Sequence, residues 1–588
     1  MLLFLTLFFS DKQSGTLLGV LTYLHTISLH PNNSVKADLQ ETTAHQHDGK
    51  MATLTVSPSQ AQQFSFLPSP LTSNPPTTTT ATATAANTAS DALPITTQTT
   101  PQTLTISLQN NTPSTAVYAY ITGQTLSGTL YVLSSTGTTP FFPPNPITQT
   151  LTPIPSSSIS IALGPPGLSR AVTIPRLAGA RIWFSVGSQL QFFLNPISGA
   201  PQDGQGRGVA LVEPSVMNES DTNYDKEWGF AEFTFNEYQL FGNVSMVDFV
   251  GRCPVSLGVI RDLPTDAKER QQEVEGMGYG SGLDRVVESL RQMGGNWEKL
   301  VIRRKQDGLV TRVLSPNSAV VMGAQRGERL FQGYYDGYVR DVWEKYRRED
   351  LVVDTQNKWG VVRGRVDSGT NLLTFPIPGS GTGGKITFGQ PSAADIFSCS
   401  TGPFAFPPLP PNPTETDFDV QAFRGNAGAR LAAAFNRSTL LINPNQPAGE
   451  QIGTFYKSNS VTNHYSRVVH ENSPGGRGYA FPYDDVSRTE EENVAGTVAA
   501  GNPKVFVVAV GGGKVNFAAL GTAVVESEVQ TAADGAEKVE KRVVTGGENS
   551  GKPAGKVVKS ENKGMRAGRG RVKRIRGLLR RAVGWVKG

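Results

Sequence analysis

Two carboxylates, Glu232 and Asp248, lie 16 residues apart in WGFAEFTFNEYQLFGNVSMVDFVG (228–251), on two strand-like runs joined by a turn. Such a pair can hold one acid against one base, which is the equipment needed to protonate a leaving oxygen and activate water at a glycosidic bond. In the first run Glu232, Thr234 and Asn236 share one face, and Ala231, Phe233 and Phe235 share the other. That is the period of a half-buried strand. Its polar face carries groups suited to sugar hydroxyls. The second run, Asn243–Val250, is apolar except for Asn243, Ser245 and Asp248. A carboxylate there must be paired, hydrogen-bonded or neutralised. The spacing alone favours a strand carboxylate paired with a nearby Lys or Arg, because structural carboxylates greatly outnumber catalytic ones.

The wider pattern is more specific. LVEPSV, SDTNYDKEWGFAEFTFN, LFGNVSMVDFVG and CPVSLG occur in order, with VYAYITG (117–123) and IPRLAGARIWFSVG (174–187) before them. LLINPNQP (440–447), TNHYSRVVH (462–470) and GYAFPYDDV (478–486) follow. Over roughly residues 103–515 the chain resembles glycoside hydrolase family 64, the β-1,3-glucanases related in fold to thaumatin-like proteins. The resemblance implies Glu232 as general acid and Asp248 as general base, and inversion at the anomeric carbon. Inversion needs carboxyl groups roughly 6.5–9.5 Å apart, so that a water fits between base and sugar. Glu232 is then expected to sit where burial or acidic neighbours raise its pKa, and Asp248 to stay ionised. Strict alternation puts Ser245 and Asp248 on opposite faces, so an irregularity is expected near Met246–Asp248.

A long glucan needs a groove with several subsites. Thr234, Asn236 and Ser245 match family positions that contact sugar, and Asn463, His464, Tyr465, Asp484 and Asp485 belong to motifs expected across the groove. The Asp484–Asp485 doublet also reads as a solvated turn after Pro482, and His464 as a structural histidine. No His/Asp/Glu cluster has metal-ligand spacing, no nucleophile elbow supports Ser–His–Asp catalysis, and no cofactor is expected. GSGTGGK (379–385) lacks the spacing of a phosphate loop and reads as a hairpin turn.

The elements that must position these residues are mainly β. The chain has 588 residues with 62 Gly and 39 Pro among short alternating runs, which points to a loop-rich β architecture. The family resemblance implies a thaumatin-like β-barrel or sandwich domain with a mixed α/β subdomain flanking a wide groove. Residues 1–102 are a leader and a Thr/Ser/Pro-rich linker; 103–258 the β domain with the catalytic pair; 259–355 the α/β subdomain; 356–515 the rest of the glucanase module; and 516–588 a disordered basic tail. Helical spacing marks Gly282–Met293, Tyr338–Tyr346 and Gln421–Ser438, while Trp359–Phe375 and Gly384–Phe388 read as strands. Two cysteines, Cys253 and Cys399, are too few for a disulfide scaffold; they form one bridge or stay isolated thiols.

MLLFLTLFFS at the start lacks the basic flank and cleavage site of a good secretory signal, and reads either as a poor signal peptide or as sequence upstream of a start at Met51. Residues 552–588 carry six Lys and seven Arg against one acid, Glu561. This exceeds the whole chain's formal charge of +5, so residues 1–551 are net acidic. An acidic body suits a neutral glycan and argues against nucleic acid. Val572, Ile575, Leu579, Ala582, Val583 and Val586 form an apolar helical stripe within the basic tail, a pattern that fits either an anionic surface or a solubilising terminus. The leading reading is an extracellular or wall-associated, monomeric inverting β-1,3-glucanase acting on β-1,3-glucan; the alternative is a non-catalytic thaumatin-like glucan-binding protein.

Overall fold

The computed structural model describes residues 100–523 apart from 263–268, 380–382, 458–460 and 490–491, and the backbone of an antiparallel pair, Leu2–Ser10 with Leu17–Thr26. The leader's side chains, nearly all of the Thr-rich linker and the basic segment 552–588 lie outside the described residues. The chain lays down β1 (Thr103–Asn110), β2 (Val117–Thr125), β3 (Ser169–Pro175), β4 (Leu177–Val186), β5 (Glu227–Phe235), β6 (Leu240–Asn243), β7 (Phe249–Gly251) and β8 (Val255–Asp262). It adds β9 (Val310–Leu314) and, far downstream, β10 (Thr497–Ala500) and β11 (Pro503–Val510).

These strands make two principal sheets. In the first, β10, β6, β5, β4 and β2 run antiparallel in that order, with Leu130–Val132 beyond β2. In the second, Glu269–Val274, β8, β11, β1 and β3 are neighbours, with Thr522–Ala523 at the far edge. The odd-numbered face of β5 packs on the second sheet, the rings of Phe233 and Phe506 lying 5.8 Å apart. The sheets approach so closely that a Cβ on Gly242 would sit 2.9 Å from the Phe506 ring, and only glycine fits there. The even-numbered face of β5 is thereby turned away from the second sheet, and it carries Glu232.

The boundary expected at 258/259 falls inside β8, and strands from residues 497–510 return to complete both sheets. The apolar run PKVFVVAV supplies a central strand, β11, buried between β8 and β1. The first residues of the tail expected from 516 are part of the fold: Phe517 and Leu520 pack with Val515 over Val507 and Ala509 on the outer face of the second sheet. Gln109 fixes this segment, its Nε2 donating to the carbonyls of Asn516 (2.8 Å) and Ala519 (3.0 Å).

Between β8 and β10 come α1 (Ser281–Met293), α2 (Pro316–Gln325), α3 (Asp336–Arg348), α4 (Glu415–Arg437) and α5 (His464–Asn472). A five-stranded sheet, Lys385–Phe388, Leu373–Pro376, Val361–Val366, Leu351–Asp354 and Asn445–Gln446, accompanies them. The apolar stripes read from the sequence are the buried ones: Leu283, Val286, Val287 and Leu290 in α1, and Tyr338, Val342, Trp343 and Tyr346 in α3. α4 starts earlier than its apolar pattern because Thr414 and Asp417 form a capping box, which satisfies the first free amides of the helix. GSGTGGK joins two antiparallel strands, Pro376 pairing with Lys385, as expected of a hairpin turn.

Candidate active site

Strand register alone aligns a row of side chains across the first sheet. Thr122 of β2 faces Arg181 of β4, Arg181 faces Glu232 of β5, Glu232 faces Asn243 of β6, and Asn243 faces Thr497 of β10. Residues directly opposite in antiparallel strands share a face, so Glu232 lies between a guanidinium and an amide. Arg181 donates from Nε (3.1 Å) and Nη2 (3.0 Å) to Oε1 of Glu232. Its Nη1 donates to Oε2 of Glu213 at 2.6 Å. Thus the ordinary reading of Glu232, a strand carboxylate paired with an arginine, describes part of what the fold does with it.

The floor of this face is aromatic. The guanidinium carbon of Arg181 sits 5.3 Å from the Trp183 ring centre and 4.9 Å from that of Phe230, while Trp228 and Phe249 extend the cluster. Trp183 donates its indole N–H to Thr122 at 2.9 Å. These rings exclude water from one side of Arg181, which strengthens its ion pairs.

Asp248 arrives by a different route. β6 ends at Asn243 and the chain leaves the sheet before β7 begins at Phe249 and pairs with β9. Within the break Ser245 makes a single parallel bridge to Tyr479. The Met246 amide donates to the Tyr479 carbonyl at 2.8 Å, and the Asp248 carbonyl accepts from the Ser315 amide at 2.8 Å. Ser315 is itself the N-cap of α2. The irregularity expected near Met246–Asp248 is this excursion, and it frees Asp248 from the alternation of a strand.

Burial pushes the Asp248 carboxyl up to about 6, with Arg181 opposing and the charges of Glu232 and Glu213 adding to the rise. The sequence led to the expectation that Asp248 stays ionised, and its desolvated surroundings work against that. In the folded chain the desolvating surroundings act on Asp248, and Glu232 receives the arginine. The two carboxylates and Arg181 all lie within electrostatic reach of one another.

The remaining sequence candidates divide. Thr234 is buried on the Glu232 face, and Ser245 anchors the Asp248 loop. Asn236 shapes the β5–β6 turn, its Oδ1 accepting from the amides of Tyr238 and Gln239, both at 3.0 Å. His464 meets the Trp297 ring edge-on at 5.2 Å and accepts from Arg467 Nε. Asp485 is half-buried and accepts from the Tyr479 hydroxyl at 3.0 Å, and Tyr479 in turn lies within electrostatic reach of Glu232.

Asn463, Tyr465 and Asp484 are essentially inaccessible and cannot touch a polysaccharide. Asn463 caps α5 through Ser466 N and holds Asn436. Tyr465 donates to the Met246 carbonyl. Asp484 is buried between Arg437 (3.3 Å) and His470 (3.0 Å). Each is a polar type consumed by a buried structural partner.

Arg181 and Glu213 were not singled out from the sequence, although both lie in quoted motifs. A signal was present: an Arg inside the apolar strand LAGARIWFSV demands a buried counter-ion. Among the described residues no group of three His, Cys, Asp or Glu side chains is placed to hold a metal ion. Cys253 and Cys399 are buried free thiols, both pushed up by burial. No helix among the described residues is long and apolar enough to cross a membrane.

Residues 102–510 match the Glyco_hydro_64 family, described as Beta-1,3-glucanase. Two curated relatives, each called glucan endo-1,3-beta-glucosidase, align over 347 residues: that of Cellulosimicrobium cellulans at 30% identity and that of Arthrobacter sp. (strain YCWD3) at 29%. The alignments cover 58% of this chain and 53% of each relative, so the chain spans about half the length of the curated relatives it matches. Among solved structures, a laminaripentaose-producing β-1,3-glucanase in complex with laminaritetraose is 31% identical with a TM-score of 0.54, covering 70% of this chain and 98% of that one. A β-1,3-glucanase domain from Clostridium beijerinckii shares the fold at 20% identity and a TM-score of 0.50, covering 70% and 98%.

Proposed function

The chain belongs to the glycoside hydrolase family 64 β-1,3-glucanases, and from that premise we propose that it hydrolyses β-1,3-glucan with inversion, using Glu232 as general acid and Asp248 as general base. The observation that carries this reading is the pairing of a sheet-borne Glu232, held through one oxygen by Arg181, with a loop-borne Asp248 outside the strand register. A carboxylate held by one oxygen keeps its second free of that ion pair for a leaving group. A carboxylate on a separate loop can stand off far enough to admit water. The substrate class follows from relatives named as glucan endo-1,3-beta-glucosidases and from a 31% identical structure holding laminaritetraose. The two-sheet unit is read as thaumatin-like, the glucan as lying across its Glu232 face, and the site of action as extracellular.

One observation favours exchanging the two roles: the group that burial drives toward protonation is Asp248. Glu213, Glu232 and Asp248 all surround the one guanidinium of Arg181, so the roles of acid and base are settled by variants of both residues. Incubating the full chain with linear β-1,3-glucan tests the reading, with anomers followed by NMR beside Glu232→Gln and Asp248→Asn. Release of α-anomeric oligosaccharides by the parent and by neither variant is expected; glucan bound and never cut would make this a lectin-like relative. The basic tail is a separate proposal, an anchor to anionic surfaces, and retained co-sedimentation with anionic vesicles after deletion of 552–588 would remove it.

A further inference from the structure

We propose that Glu213 is a positioning residue of this site: it holds one edge of the Arg181 guanidinium so that the opposite edge fixes Glu232. The inference rests on the glycosidase reading above. The three side chains form a graded series from interior to cleft, Arg181 and Glu213 being 7% and 9% exposed and Glu232 25%. A guanidinium is planar, so fixing one nitrogen and one ring face sets the direction of the others. Glu213 fixes Nη1 at 2.6 Å, Trp183 and Phe230 fix the plane, and Nε and Nη2 are left converging on one oxygen of Glu232.

Glu213 comes from outside the site sheet. It directly follows the strand Val209–Val212, which pairs with Phe193–Pro196 in a separate three-stranded sheet. Its Oε1 also lies 3.5 Å from the Thr122 hydroxyl, the same hydroxyl that accepts from Trp183. Hence one buried carboxylate ties a neighbouring sheet, the aromatic floor and the catalytic row together.

Its charge has a second consequence. Arg181 faces Glu213, Glu232 and Asp248, with Tyr465 close to Asp248, and Tyr479 beside Glu232 and Asp485. Glu213 takes part of the arginine's positive charge, and its own charge helps to raise Asp248. With a neutral amide in its place, one of the charges that raise Asp248 is gone and Arg181 acts more fully on that carboxyl, so Asp248 would give up its proton more readily.

Glu213→Gln keeps the shape and an acceptor for Arg181 while removing the charge. Two readouts test it on the full chain: the titration midpoint of Asp248 by carbon-13 NMR, and the pH dependence of kcat/KM on a laminari-oligosaccharide. The midpoint is expected to fall by about half a unit or more, and the acidic limb of the rate profile, which a general base sets, to move down with it, while KM changes little. Glu213→Asp keeps the charge and loses the reach, so its profile is expected to stay in place while kcat falls about tenfold or more. Loss of activity with an unmoved Asp248 midpoint in Glu213→Gln would overturn the proposal, as would full activity in Glu213→Asp. If the Gln variant does not fold, the Asp variant decides through its kcat and profile. A parent chain that cuts no glucan, yet shows the midpoint shift, defeats the glucanase reading and leaves the charge coupling standing.

Discussion

Tyr465 donates its hydroxyl to the carbonyl of Met246 at 2.5 Å, two residues before Asp248 and across 219 positions of sequence. The ring is fully buried, so the bond is made in a water-poor setting where losing the donor leaves the carbonyl unsatisfied. Tyr465→Phe is expected to reduce stability by about 1–3 kcal/mol and to lower kcat about tenfold through a misplaced Asp248, with KM little changed. Chemical denaturation and steady-state kinetics on the same preparation check this. A raised KM at unchanged kcat would instead make Tyr465 a substrate contact.

The raised carboxyl of Asp248 also sets a pH dependence of stability. Its folded value of about 6 lies above the unfolded carboxylate's, near 3.8, so between these values the folded state binds the extra proton. The favourable contribution is fully present below about pH 4 and is lost as pH rises through about 6. At pH 7 the ionised group is therefore a burden. Asp248→Asn is expected to be more stable than the parent at pH 7, by up to ~2 kcal/mol given partial solvent screening, and to match it near pH 4. Denaturation midpoints at the two pH values measure the difference, and an equal gap at both would refute the coupling.

How much of this was legible in the sequence depends on whether the information is local. The alternation around Glu232 and the stripes of α1 and α3 are periodic signals within one element, and they survive folding. The pairing of Arg181 with Glu232 joins residues 51 apart, and that with Glu213 residues 32 apart; no periodicity encodes either. Asn463, Tyr465 and Asp484 were expected across the groove because they lie in motifs that resemble the family's, and a motif does not say which of its polar side chains face out. The fold uses them as a helix cap, a loop tether and a buried counter-ion, and only tertiary contacts reveal that. Likewise 516–523 reads as the beginning of a tail until Val507 and Ala509 are seen to need a cover.

Asp484 exemplifies that change of role. It is fully buried against Arg437, which also contacts Glu450 at 3.2 Å, and it accepts from the Ala480 amide at 3.0 Å. Removing its charge strands a buried guanidinium with a single carboxylate. Asp484→Asn is expected to cost about 3–5 kcal/mol, while the protein that still folds keeps the parent's KM for glucan. Thermal melts beside kinetics at a permissive temperature make the test. A tenfold loss of glucan affinity in a variant of normal stability would restore Asp484 to the groove.

The assignment of acid and base is the point on which structure and family pattern pull apart, and the two roles fail in distinguishable ways. A missing general acid is compensated by a leaving group that departs without a proton, so aryl glycosides with acidic phenols recover activity. A missing general base is compensated by an added anionic nucleophile such as azide, which attacks without surrendering a proton. If Glu232 is the acid, Glu232→Gln is expected to regain about 10²-fold or more on an activated aryl laminarioside relative to glucan. Asp248→Asn is then expected to answer to azide instead, yielding an α-glycosyl azide. The reverse pattern would place the acid on Asp248, the group that burial already drives toward protonation, and leave Glu232, clamped by Arg181, to hold the water. Arg181 gives that outcome a physical basis, since its two N–H donors hold one oxygen of Glu232 in place and leave the other to orient a water. Azide rescue of Glu232→Gln is therefore the decisive sign of exchange.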